Sequence, residues 1–148
     1  MRTTDFSAAP PAGQATAMFV GATRYTGPLS MFRTIRAWGP MIRRMKRMKG
    51  YRWHTVYYRF PFTLGTIAFF ADRDAMLRFA RTKHHRDLMC WVTDHGERYA
   101  TGGFIRLYQA EPHGYSNGVW RAADEPMAHI PTFTPLSTEN SGPTVHRS

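Results

Sequence analysis

The feature that most constrains this chain is a repeated change in apolar spacing between residues 17 and 110. Leu29, Phe32, Ile35, Trp38, Ile42, Met45 and Met48 recur in steps of three and four, the spacing of one helix face. The flanking segments differ. AMFVGATRY (17–25), YRWHTVYYRF (51–60), FTLGTIAFFA (62–71) and TGGFIRLYQA (101–110) are rich in aromatic and β-branched residues, which suit a pleated surface. A second helix is expected after Asp72 and Asp74, which offer N-cap and helix-dipole chemistry. It would carry Met76, Leu77, Phe79 and Ala80, then Leu88, Trp91 and Val92, and close at DHGE (94–97). Strand, helix, strand, strand, helix, strand is the βαββαβ order of a ferredoxin-like fold. The expected class is α+β, an antiparallel sheet with helices on one face.

Punctuation refines this order. Pro28 suits a first helical position. Gly39–Pro40 predicts a kink or two helices, because proline removes a backbone donor and disfavours helical geometry in the residue before it. Gly50 is a stop signal, and Pro61 ends or bends a strand. Residues 1–16 read as a flexible N-terminal arm, 17–111 as the ferredoxin-like domain, and 112–148 as a turn-rich, irregular C-terminal extension with a short strand at GVW (118–120). Trp53, Tyr57 and Phe104 make the second sheet face too apolar to leave wet, so a homodimer through the sheet faces is expected.

With 148 residues the chain can bury a core without staples. Its one cysteine, Cys90, cannot form an intramolecular disulfide and fits a reducing compartment. No apolar run reaches membrane-spanning length, and the N-terminus lacks the apolar core of a secretory signal. The expected location is cytoplasmic. The formal net charge of +10 favours an anionic partner. RRMKRMK (43–49) concentrates that charge at the end of the first helix, where cations complement the helix dipole. Haem propionates, an acidic protein partner or contact with an anionic membrane surface would all use such a cluster. No nucleic-acid-binding signature accompanies it, and none is assigned.

The segment FFADRDAMLRFARTKHHRDLM (69–89) resembles the small monooxygenases of the dimeric α/β-barrel superfamily, in particular the spheroidene-monooxygenase-like branch. Phe70, Asp72, Ala75–Met76, Phe79–Ala80, His85 and Met89 carry the resemblance. It implies a ferredoxin-like protomer, a dimeric α/β-barrel and a hydrophobic organic substrate between sheet and helices. Its members include haem-dependent enzymes, cofactor-free oxygenases and proteins of no known activity. Haem held by a helical histidine, or no cofactor, both stand open, and fold alone does not choose. A non-catalytic dimer binding haem or a lipophilic ligand, or a basic module docking an acidic partner, are the other readings.

RTKHHRDLMCWV (81–92) holds the candidate site. An unbroken helix from Asp74 groups His84 with Leu77, Ala80, Leu88 and Trp91. A helix restarted at RTK frees the phase and lets His85 face inward beside Met89 and Val92. His85 and His84 are therefore both candidate catalytic residues, one imidazole serving as axial ligand or general base; the bland alternative is one hydrogen-bonded boundary histidine and one solvated one. Tyr57, Tyr108, Met89 and Trp91 are candidate substrate contacts. Arg106 is a candidate for an anionic group of substrate or cofactor, because a buried arginine needs a counter-charge. The remaining histidines show no ligand spacing, so no metal site is expected. No catalytic triad, P-loop or dinucleotide motif is present, which disfavours hydrolase, kinase and dehydrogenase chemistry.

Overall fold

The computed structural model describes residues 2–7, 9–94 and 98–115. Its elements in chain order are β1 (Arg2–Thr3), β2 (Ala17–Tyr25), α1 (Pro28–Lys46), β3 (Tyr51–Arg59), β4 (Thr63–Phe70), α2 (Arg73–Ala80), α3 (Lys83–Asp94), β5 (Ala100–Gln109) and β6 (Gly114–Tyr115). The chain divides into two units, residues 15–109 and a second formed by the segments before and after them. In the second unit β1 pairs antiparallel with β6, Arg2 opposite Tyr115, so strand pairing begins within the segment expected as an arm. The strand expected at 118–120 and the rest of the C-terminal extension lie outside the described residues.

Unit 15–109 is a four-stranded sheet in the order β3-β4-β2-β5, every pair antiparallel. With β2 as first strand this is the ferredoxin-like order, as the sequence predicts. Residues opposite each other across a ladder share a sheet face. Ala17, Phe19, Gly21, Thr23 and Tyr25 of β2 therefore share a face with Leu64, Thr66, Ala68 and Phe70 of β4. That face is roofed by the helices. Phe70 and Met45 at 0% exposure and Met76 and Phe79 at 2% form the core. Phe70 and Phe79 stack with ring centroids 5.9 Å apart, and Phe19 lies 6.0 Å from Phe79. Such aromatic pairs add to plain area burial.

The α1 helix begins with Pro28 and runs on through Pro40. The sequence predicts a kink or two helices there, and the structure corrects the second alternative, since one helix spans Gly39 and Pro40. The lost backbone bond is outweighed by the burial of Met41 and Met45 on the same helix. The apolar stripe is only half used. Met45 is buried, with Ile42, Met48 and Trp38 packed against the core, but Leu29, Phe32 and Ile35 are exposed. Thr34, not Ile35, turns inward.

Two local devices set the phase of β3 and α2. A bulge at the start of β3 drops Arg52 out of register between Tyr51 and Trp53. Tyr51 and His54 thereby share the helix side, and the Tyr51 hydroxyl lies 2.6 Å from His54 Nδ1. Asp72 caps α2, its Oδ1 accepting the Ala75 N–H at 2.6 Å, as the sequence predicts.

Candidate active site

The second helix expected from sequence is two helices, and Thr82 separates them. Its hydroxyl donates to the Phe79 carbonyl at 2.8 Å. The same oxygen accepts the His85 N–H at 3.4 Å, and the Thr82 carbonyl accepts the Arg86 N–H. Thr82 thus closes α2 and caps α3, the competition with regular helix that threonine hydroxyls offer. The restart rotates α3 relative to α2. His85, Leu88, Met89 and Val92 then face the sheet at helical spacing, whereas His84 is exposed.

These side chains roof a cavity of about 590 Å³ between helices and sheet, within the usual range for small-molecule sites. Its floor is the centre of the sheet, where Gly21 and Gly103 lie close against their neighbours, a Cβ on Gly103 falling 2.7 Å from the Ala22 carbonyl oxygen. A Cβ on Gly21 would lie 3.3 Å from Ile105 Cγ1. Trp38, Met41 and Ile42 of α1 close one wall. No Asp, Glu, Lys or Arg lines it among the described residues.

The polar groups are few. His85 Nδ1 lies 3.0 Å from the Ala80 carbonyl oxygen. A carbonyl only accepts, so Nδ1 carries the proton and a neutral ring keeps the Nε2 lone pair. Among the described residues no protein group bonds Nε2. The ring also packs against Phe79, centroids 5.0 Å apart. Burial pushes the His85 pKa down from its ordinary value, and the bond to Ala80 opposes that in part. Charging the ring in this setting is unfavourable, so it is neutral near pH 7. Thr34 donates to the Ser30 carbonyl and Thr93 to the Met89 carbonyl. Thr66, 5% exposed, has an Oγ1 with no partner among the described residues, a state that costs about 1–3 kcal/mol.

The other residues singled out from sequence lie elsewhere. Register places Arg106 opposite Val20 and Tyr108 opposite Met18, on the sheet face away from the helices. Tyr57 lies opposite Gly65 on that same face, where its ring covers the glycine. Strand alternation puts these three together but cannot carry them to the cavity. Trp91 stacks on Tyr99 with centroids 4.8 Å apart and is not part of the cavity wall. Of the four expected substrate contacts, only Met89 lines it. The floor glycines, Trp38 and Thr66 were missed by sequence reasoning. The small residues at 21–22 and 102–103, in strands otherwise built of large ones, are the signal that marks the floor.

Haem would find one imidazole nitrogen here, Nε2 of His85, beside the thioethers of Met41, Met45 and Met89. Its two carboxylates would find no cation on the lining, and Arg106 is on the opposite face. The residues present fit an uncharged lipophilic molecule and do not fit haem. No cluster of three or more His, Cys, Asp or Glu side chains that could hold a metal occurs among the described residues.

No model of a protein family matches the chain, and no curated protein matches it. Solved structures do. The chain is similar to SnoaB, a cofactor-independent oxygenase from Streptomyces nogalater, at 16% identity over 66% of this chain and 94% of that one, with a TM-score of 0.52. It is similar to an antibiotic biosynthesis monooxygenase at 13% identity, over 65% of this chain and 99% of that one, with a TM-score of 0.54. A conserved protein from Methanosarcina mazei Go1 matches at 15% identity, over 66% and 96% of the two chains, with a TM-score of 0.55. The fold is therefore the ferredoxin-like α+β fold that these structures share.

Proposed function

We propose that the chain is a small monooxygenase-like enzyme that oxidises an uncharged, hydrophobic organic substrate in the cavity, with His85 as general base. The observation that carries this is the neutral imidazole in a cavity lined by no charged side chain among the described residues, with Nδ1 tied to Ala80 and Nε2 unpartnered among them. The likeness in fold to a cofactor-independent oxygenase supports it.

The chemistry needs no cofactor if the substrate has an acidic C–H bond. Nε2 takes the proton, and the resulting carbanion gives up electrons to O₂ as a C–O bond forms. The peroxide anion takes the proton back from His85. Loss of water then turns a CH₂ group into a carbonyl: R₂CH₂ + O₂ → R₂CO + H₂O. The apolar walls favour a delocalised carbanion and keep bulk water from it.

The second sheet face bears on the assembly in which this enzyme would work. Met18, Val20, Ile67 and Phe69 line its centre, with Trp53, Phe104 and Tyr108 exposed beside them. An apolar patch of this extent suits a second copy of the chain.

The test is O₂ uptake with anthrone, a tricyclic ketone with one acidic CH₂. Protein should accelerate O₂ consumption with one anthraquinone formed per O₂, and His85→Ala should abolish the acceleration. Uptake at the uncatalysed rate, with anthrone bound, would leave a lipophilic-ligand binder instead of an enzyme.

A further inference from the structure

We infer that Thr66 is the polar anchor of the cavity, its hydroxyl bonding an oxygen of the bound substrate. This deepens the reading of the cavity as a substrate site and rests on it.

The hydroxyls that line the cavity divide into engaged and free. Thr34, Thr93 and Thr101 each reach a backbone carbonyl, those of Ser30, Met89 and Arg24. Thr23 is engaged with the Tyr25 hydroxyl. Thr66 alone of this set is buried without a partner among the described residues. Its position explains why. It sits on β4, an inner strand, whose backbone is engaged by β2 and β3 on either side. The residue opposite it on β2 is Gly21, which has no side chain to meet the hydroxyl. On β4 itself the same face continues with Leu64 and Ala68, which offer nothing polar. Thr66 is part of the cavity lining; its Oγ1 itself presents under 1 Å² of surface, so a turn about χ1 to another staggered rotamer is what brings the hydroxyl to a ligand. A buried hydroxyl is expensive to leave unpaired, and a ligand oxygen is what the site lacks. Thr66 on the floor and His85 on the roof would hold the substrate between one oxygen contact and one proton acceptor.

The test compares anthrone with 9,10-dihydroanthracene, which has a CH₂ in place of the carbonyl. Binding is followed by calorimetry without oxygen, for wild type, Thr66→Val and Thr66→Ser. Wild type should prefer anthrone by about tenfold, the worth of one buried hydrogen bond. Thr66→Val should lose that preference while keeping its affinity for dihydroanthracene, and Thr66→Ser should restore it. The ligand-free Thr66→Val protein should melt no lower than wild type, because valine suits a strand and removes the orphan hydroxyl. A preference unchanged in Thr66→Val overturns the inference and leaves the cavity reading intact. A lower melting temperature shows the hydroxyl already satisfied in the free protein and also overturns it. If wild type binds neither compound, the cavity reading falls and the anchor with it.

Discussion

His85 Nδ1 and the Ala80 carbonyl oxygen lie 3.0 Å apart, joining the first turn of α3 to the last residue of α2. The bond fixes both the tautomer and the direction of the ring. It exists because Thr82 ends one helix and caps the next, so the break in the helix is what brings His85 into the cavity lining.

Replacing the two neighbouring histidines should therefore have unequal effects. His85→Gln should lower the rate of anthrone oxidation by about 10²–10⁴-fold, the usual contribution of a general base. His84→Gln alters an exposed side chain and should stay within about twofold of wild type, since substitutions of this kind are close to neutral. Steady-state O₂ uptake measures both, and equal losses would remove His85 from its role.

Stability should depend on pH in the direction that burial of His85 sets. Its folded pKa lies below the ordinary 6.5. Between the two values the unfolded chain binds more protons, so stability is complete above 6.5 and is lost as pH falls through the folded value. His54 has the same sign, lowered by burial and by Lys46. Urea midpoints from about pH 5 to 7.5 should fall toward acid, in the range where histidine titrates. The fall should be shallower in His85→Gln. An unchanged slope would contradict the buried, neutral assignment.

The uncovered sheet face should hold two copies of the chain together. Phe104, 54% exposed on β5, shares that face with Ala22 and Arg106. Phe104→Arg should weaken association by at least about 2 kcal/mol, as loss of a central aromatic does. Light scattering would give a dimer mass for wild type and a shift toward monomer for the variant. A monomer at all concentrations of wild type would rule the interface out.

Two glycines should respond oppositely to alanine. Gly50 has φ +92°, and a Cβ there would lie 2.5 Å from the Ala75 Cβ. Gly50→Ala should cost about 1–3 kcal/mol through strain alone, with the clash adding to it. Gly39 lies inside α1 with nothing within 4 Å of an added Cβ. Gly39→Ala should gain about 0.5–1 kcal/mol. Denaturant midpoints distinguish the two.

The order of elements was legible in the sequence because it depends on local periodicity. Strand alternation by itself also requires Phe104, Arg106 and Tyr108 to share one face, and they do. Alternation cannot say which face the helices cover, so the assignment of Arg106 and the two tyrosines to a pocket had no basis until the sheet was roofed. The histidine phase was an open alternative for a related reason. Residues 74–92 fit one helix or two, and a single threonine hydroxyl decided between them. The cavity itself was beyond local reading. It is bounded by Gly21 and Thr66, opposite each other on strands far apart in the chain, and by Phe79 and Trp38, which arrive from different helices. Apolar period and turn chemistry determine which segments become strands and helices. Only the register between distant strands determines which side chains share a void, because that void is made of what several segments leave empty.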